Sequence, residues 1–90
     1  MHPFLKNRNL EFRRRLGPDP HSSGATTVAL DECPDIWETA SGDFAVIGIR
    51  ITETANADLP PTVTCGSDEE IVLIPRKLLQ EAKADIPDNR

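Results

Sequence analysis

The order of apolar and polar positions predicts two strands joined by a hairpin loop. Residues 35–39 alternate and carry β-branched and aromatic side chains, which is typical of a strand. Residues 40–43 are small or polar, and Gly42 suits a tight loop because glycine adopts positive φ at low cost. Residues 44–52 are apolar on both faces in their first half, as expected of a central strand.

A third strand and one helix are predicted nearer the C-terminus. Residues 71–74 form a continuous apolar run between acids and Pro75, which favours a buried strand. After Pro75 the apolar residues recur at helical spacing, and Pro87 ends the pattern. The polar segment 53–70 predicts a long loop, with a short edge strand over 62–65 as an option. The predicted fold class is therefore α+β: a small antiparallel sheet of three to four strands, arranged as a meander, with one C-terminal helix.

Residues 1–25 are predicted to be a disordered arm and linker in front of this domain. Residues 16–24 hold two prolines, two glycines and two serines, a composition that does not support a regular element. A short basic amphipathic helix is an alternative for the arm, although a lone helix of this length is marginal in water. Residues 26–90 then form a single small domain, with a short strand or an apolar tether at 27–30.

Charge divides the chain at the same place. The 90 residues carry 15 acids and 10 bases, a formal net charge of −5. Residues 1–15 hold five bases and one acid, so they carry +4 and the remaining 75 residues carry −9. Whole-molecule attraction to nucleic acid or to an anionic membrane is therefore not expected. Arg13, Arg14 and Arg15 are candidate phosphate contacts, which makes non-specific nucleic-acid binding through the arm the alternative function.

No residue pattern points to catalysis, to a metal or to a cofactor. Cys33, Cys65 and the two histidines are widely spaced, unlike the close ligand pairs of structural zinc sites. The sequence contains no glycine-rich phosphate loop. A small enzyme that uses Asp35, Glu38 and Asp43 is a less favoured hypothesis, because so small a core offers little cleft in which to separate carboxyl pKa values. We predict that the chain is not an enzyme and uses no cofactor.

The sequence also predicts a cytoplasmic chain with no membrane partner. Two cysteines without close spacing favour a reduced compartment, although a single bridge between them stays open. No apolar run approaches the roughly 18 residues that a membrane-spanning helix needs. The N-terminus lacks the apolar block of a secretory signal.

The remaining features predict a protein partner. Trp37 is the only tryptophan, and it is either an exposed interface anchor or a core residue. We expect the sheet face around Trp37, Phe44 and Val46 to be the interaction surface. Arg76 and Lys77 are a second candidate interaction site, because the helix macrodipole disfavours bases in the first turn of a helix. Either nearby acids screen these two bases, or the bases bind an anion or an acidic partner. A homodimer formed by pairing of strand edges is an alternative to a monomer.

Three segments resemble a group of short, uncharacterised actinobacterial proteins. They are residues 33–37 (Cys-Pro-Asp-Ile-Trp), residues 42–48 (Gly-Asp-Phe-Ala-Val-Ile-Gly), and Ile-Pro-Arg at 74–76 with Ala-Lys-Ala-Asp-Ile at 82–86. The resemblance covers about residues 31–87 and implies that the basic arm is an addition to the domain. It brings no catalytic residue. Similarity of size and setting implies a regulatory role, as an accessory partner of a helix-turn-helix transcription regulator.

Overall fold

A computed structural model describes residues 2–19 and 33–87 and confirms the α+β class. A three-stranded antiparallel sheet, in the order β1-β2-β3, consists of β1 (Phe12–Arg15), β2 (Asp35–Thr39) and β3 (Phe44–Ile47). A separate antiparallel pair consists of β4 (Ile49–Arg50) and β5 (Val72–Leu73). The helices are α1 (Thr52–Asn56) and α2 (Arg76–Ala82).

The hairpin of β2 and β3 forms where the sequence predicts it. The register places Trp37 opposite Ala45. The backbone N–H of Thr39 donates to the carbonyl of Asp43 at 2.9 Å, and this bond closes the loop. Gly42 has φ +90°, a conformation that glycine adopts without a steric penalty. The predicted strand 35–39 and its loop are therefore confirmed, and the second strand is confirmed over Phe44–Ile47.

The basic arm contributes a strand to the sheet. β1 pairs antiparallel with β2 and places Arg15 opposite Trp37. Directly after β1, the N–H of Leu16 donates to the carbonyl of Ile36 at 2.9 Å. The prediction that residues 1–25 are disordered is wrong for this part, because β2 supplies backbone partners that an isolated arm lacks. Residues 20–32, which include the optional strand at 27–30, lie outside the described residues.

The core lies between the three-stranded sheet and α2. Leu16, Ile36 and Ala82 are buried, and Ile74 and Leu78 pack against them. Leu16 is the largest fully buried side chain among the described residues. Burial of a leucine contributes about 2 kcal/mol. The end of the arm is therefore part of the core of the domain.

The apolar run predicted as one strand over 44–52 is divided at Gly48. A Cβ atom at this position would lie 2.7 Å from the carbonyl oxygen of Leu73 and 2.9 Å from Cγ2 of Ile74. The chain passes β5 too closely for any side chain here, and it changes partner from β2 to β5. The strand predicted over 71–74 is shorter, and both residues of β5 are exposed rather than buried.

The polar segment and the C-terminal helix agree with their predictions in part. The segment predicted as a loop begins with the short helix α1, and residues 62–65 do not form a strand. The C-terminal helix begins directly after Pro75, as predicted, and continues as a 3-10 turn over Lys83–Asp85. Ala82 gives this helix its one buried side chain, so the predicted apolar stripe is covered only in part.

Candidate functional site

The face of the sheet opposite α2 holds a cluster around Trp37. Successive residues of a strand point to opposite faces, so Trp37 and the core residue Ile36 lie on different faces. The indole lies 5.6 Å from the ring of Phe12, and the guanidinium of Arg15 lies 4.6 Å from the indole centroid. Trp37 is half-buried by these two residues of the arm. It is neither a helix-packed core residue nor a freely exposed anchor.

Asp35 holds this cluster together. Its carboxylate is buried and accepts hydrogen bonds from Nε and Nη2 of Arg15 at 3.0 to 3.1 Å. The indole N–H of Trp37 donates to it at 3.1 Å, and the backbone N–H of Ile36 donates at 3.0 Å. The hydrogen bonds that Arg15 donates to Asp35 raise the pKa of Arg15. A carboxylate that is so fully bonded has little capacity left for a substrate.

Two other arginines of the arm also have carboxylate partners. Arg8 pairs with Asp43 at 3.0 Å, and Arg14 pairs with Glu38 at 2.9 Å. Nη2 of Arg14 also donates to the backbone carbonyl of Asp85 at 2.6 Å. The +4 arm and the −9 body therefore neutralise each other where they meet.

This pairing bears on two of the functions considered from the sequence. Of the three candidate phosphate contacts, only Arg13 is exposed without an ion pair to the described residues. The acids proposed for a small enzyme, Asp35 and Glu38 among them, are engaged by these same arginines. The absence of catalytic activity stays a prediction.

Apolar side chains remain uncovered along β3. The side chains of Phe44, Val46 and Ile47 are 44%, 43% and 50% exposed. Phe44 and Val46 lie opposite Glu38 and Ile36 on the face that α2 partly covers, which is not the face of Trp37. The structure therefore exposes two of the three residues predicted to form one interaction surface, but it does not place all three on one face.

The other face of β3 leads into an apolar groove of about 490 Å³. Ile47, Ile49 and Leu73 line it, together with Gly48 and Pro75. Ile49 and Leu73 are each more than half exposed. Ile47, Ile49 and Leu73 are not selected from the sequence, because the apolar runs 44–52 and 71–74 predict a central strand and a buried strand. A glycine inside an apolar strand is the signal that could have shown the break. We call Phe44, Val46, Ile47, Ile49 and Leu73 the β3 surface.

The second predicted candidate, at the start of α2, is an exposed pair of bases. Arg76 and Lys77 occupy the first turn. The ammonium group of Lys77 lies 3.9 Å from a carboxylate oxygen of Glu81, one turn further on, so one of the two bases is partly screened. Their role in binding stays a prediction.

A polar network joins β4 to the segment before β5. Glu70 accepts a hydrogen bond from the Thr52 hydroxyl at 2.5 Å and one from Nε of Arg50 at 2.9 Å. The hydrogen bond from Thr52, followed by that from Arg50, lowers the pKa of Glu70. The hydrogen bond from Arg50 to Glu70 raises the pKa of Arg50. The backbone N–H of Ile71 donates to the Thr52 hydroxyl at 2.9 Å. The network is exposed and fixes the entry to β5.

Other kinds of site can be checked over the same part of the chain. Cys33 and Cys65, both described, do not form a disulfide with each other. Within residues 2–19 and 33–87, no three His, Cys, Asp or Glu side chains converge in a way that could hold a metal ion. In these same ranges no helix has the length and apolar character needed to cross a membrane.

Comparison with known proteins adds no family. No family model, curated protein or solved structure matches the chain. The β3 surface therefore has to be interpreted from its own geometry, and the resemblance to the actinobacterial group stays a prediction.

Proposed function

We propose that this chain is a protein-interaction module that binds its partner through the β3 surface. The observation that carries this proposal is the state of β3. It is an edge strand with no neighbour on its outer side among the described residues, and three of its four side chains are large, apolar and 43% to 50% exposed. Edge strands of this kind pair readily with another polypeptide unless charge or proline protects them. β3 carries neither.

The mode of binding that suits this surface is the addition of an extended segment to the sheet. Backbone hydrogen bonds to the free edge supply affinity, and apolar contacts on either side supply selectivity. The groove beside Ile47 and Ile49 gives such a segment a concave apolar contact next to the strand. A partner with an extended, uncharged and apolar segment fits these features. The resemblance suggests a helix-turn-helix transcription regulator as a candidate partner.

The proposal is tested by capture with matched variants. Wild-type chain, Val46→Lys and Val63→Lys are immobilised and exposed to an extract of the organism that encodes the chain. Val46 and Val63 are 43% and 45% exposed, so the two substitutions are chemically alike, but Val63 lies in the loop before β5. We expect a protein that wild type and Val63→Lys retain and Val46→Lys loses. The captured protein is then purified, and its affinity is measured by calorimetry.

A charge placed in an apolar contact should weaken this binding at least about tenfold. Equal affinity of the purified protein for all three chains would contradict binding of that protein through the β3 surface. The fold of each variant is checked by circular dichroism before capture.

A further inference from the structure

We propose, resting on the function above, that the partner of the β3 surface is a second copy of this chain. Two copies pair β3 antiparallel about a two-fold axis and form one sheet of six strands, three from each copy. Phe44 and Val46 of each copy are then covered by the same two residues of the other copy. The backbone, the side chains, the exposed area and the net charge each bear on this arrangement.

The backbone of β3 offers hydrogen-bonding groups on its outer side. The first cross-strand bond of the hairpin ends on Asp43, and such bonds alternate along an antiparallel ladder. The odd-numbered residues of β3 therefore direct their N–H and C=O groups to β2. Phe44 and Val46 direct theirs outward, where no strand of the described residues pairs with them. Two donors and two acceptors are thus available to one more antiparallel strand.

Two-fold symmetry requires one residue of β3 to lie opposite its own copy, and Ala45 is the centre that pairs both outward-directed residues within β3. With Ala45 opposite the partner's Ala45, Phe44 lies opposite the partner's Val46. Both outward-directed residues of each copy then exchange backbone bonds, about four in all. Each cross-strand contact of these residues joins an aromatic and a β-branched side chain, a pairing that stabilises antiparallel sheets. No charged residue lies in β3, so like charges do not meet at its centre.

The exposed area suits a weak dimer. The side chains of Phe44, Val46 and Ile47 together expose on the order of 250 Å² in each copy. Two copies bring together about 500 Å² of apolar area, which places this contact among weak associations, below the roughly 1,200 Å² of specific interfaces. We expect a dissociation constant in the micromolar range, because larger and better buried interfaces are needed for tight binding.

The net charge predicts how salt acts on this dimer. Each copy carries a formal charge of −5, so two copies repel each other at low ionic strength. Added salt screens this repulsion, and the apolar contact between the copies is unaffected by screening. Dimerisation should therefore strengthen with salt, the opposite of the response of binding through a cationic surface to nucleic acid.

Sedimentation velocity of the full chain over a range of concentrations measures the association. We expect a monomer–dimer equilibrium that shifts toward dimer in higher salt. Val46→Lys should raise the dissociation constant at least about tenfold, because it replaces an apolar contact with an ammonium group that the interface would desolvate. Val63→Lys should leave the dissociation constant unchanged.

Cross-linking tests the register without a disruptive substitution. In an antiparallel pair without direct hydrogen bonds, opposed Cα atoms lie about 4.5 Å apart, within the range of a disulfide. Ala45→Cys, in a chain with Cys33→Ser and Cys65→Ser, should form a covalent dimer under mild oxidation. Ala57→Cys in the same background is the control, since Ala57 is exposed in the turn after α1. We expect it to remain monomeric. This test applies even where Val46→Lys fails to fold.

Three results would overturn the second copy as partner. The first is a monomer at all concentrations, and the second is equal cross-linking of Ala45→Cys and Ala57→Cys. The third is slow exchange of the Phe44 and Val46 amides in the monomer, which would show that the edge is covered from within the chain. A monomer that still captures a different protein through Val46 refutes only the dimer. Capture that is indifferent to Val46, together with a Val46-dependent dimer, removes the other partners instead.

Discussion

Asp35 shows how single residues attach the arm to the domain. Its buried carboxylate takes three hydrogen bonds from Arg15 and one from the indole of Trp37. A buried carboxylate is costly unless its partners replace the water that it loses. Among the described residues, no buried side-chain polar atom lacks a partner. The buried carboxylate of Asp35 therefore needs Arg15 of the arm as a partner, and Asp35 in turn helps to hold the arm on the sheet.

Gly48 has an equally specific role, because it lets the chain pass close to β5. Gly48→Ala would set a Cβ atom 2.7 Å from the Leu73 carbonyl oxygen, which belongs to backbone and cannot rotate away. Overpacking of this kind costs about 1 to 3 kcal/mol. We expect the free energy of unfolding to fall by that amount in a urea titration followed by Trp37 fluorescence.

Gly66→Ala provides the control for this prediction. Its added Cβ would meet Oε1 of Glu69 at 3.2 Å, the end of a flexible side chain that can move. We expect a change within about 0.5 kcal/mol, as for an ordinary surface substitution. Equal effects of the two substitutions would show that the passage between β3 and β4 is not tight.

At the level of elements, local patterns predict some segments well and others poorly. β2, its hairpin loop and the start of α2 were predicted because alternation, Gly42 and Pro75 act over a few residues. β1 was missed because a run of arginines has no strand pattern of its own. Its partners Asp35 and Glu38 lie 20 and 24 residues away in the chain. The periodicity of a sequence does not reveal a pairing between residues so far apart.

The candidate site was predicted to the same limited extent. Phe44 and Val46 were selected from the sequence, and the structure exposes both. Ile49 and Leu73 were not selected, since an apolar run predicts burial on both faces. Burial of a strand depends on what packs over it, and no layer of the described chain covers β4 and β5 on the side of the groove. The residues of a strand do not themselves reveal which part of the chain packs over that strand.

The contribution of the Arg50–Thr52–Glu70 network to stability should depend on pH. The Thr52 hydroxyl and Arg50 lower the pKa of Glu70 in the folded chain. A carboxylate with a depressed folded pKa stabilises the fold above its unfolded pKa, near 4.5. This contribution is lost as pH falls through the folded value. We therefore expect the difference in unfolding free energy between wild type and Glu70→Gln to shrink below about pH 4.5.

Thr52→Val tests the larger cause of this effect. The substitution removes the hydroxyl that is the largest contributor to the pKa change and nearly preserves side-chain volume. We expect the pKa of Glu70, followed by NMR titration of its carboxyl carbon, to rise toward its ordinary range. An unchanged titration would assign the depression to Arg50 alone.

The whole molecule is organised by the contact between opposite charges and by a small shared core. The arm and the body carry +4 and −9, and their arginines and carboxylates meet along β1 and β2. Ion pairs at a surface contribute little singly, with a median of about 0 to 1 kcal/mol. The arm is therefore held by its backbone pairing with β2 and by burial of Leu16 as well as by charge.

Truncation tests whether the arm belongs to the domain or is an addition to it. Removal of residues 1–17 takes away β1 and Leu16, the largest fully buried side chain within residues 2–19 and 33–87. Loss of a buried leucine alone costs about 2 to 5 kcal/mol, which is a large part of the stability of a small domain. We expect the chain 18–90 to lack a cooperative thermal transition by circular dichroism. Residues 1–7 contribute no buried side chain among those described, so their removal should leave the transition in place. A chain 18–90 that melts cooperatively at the wild-type temperature would show that β1 only lies against the sheet.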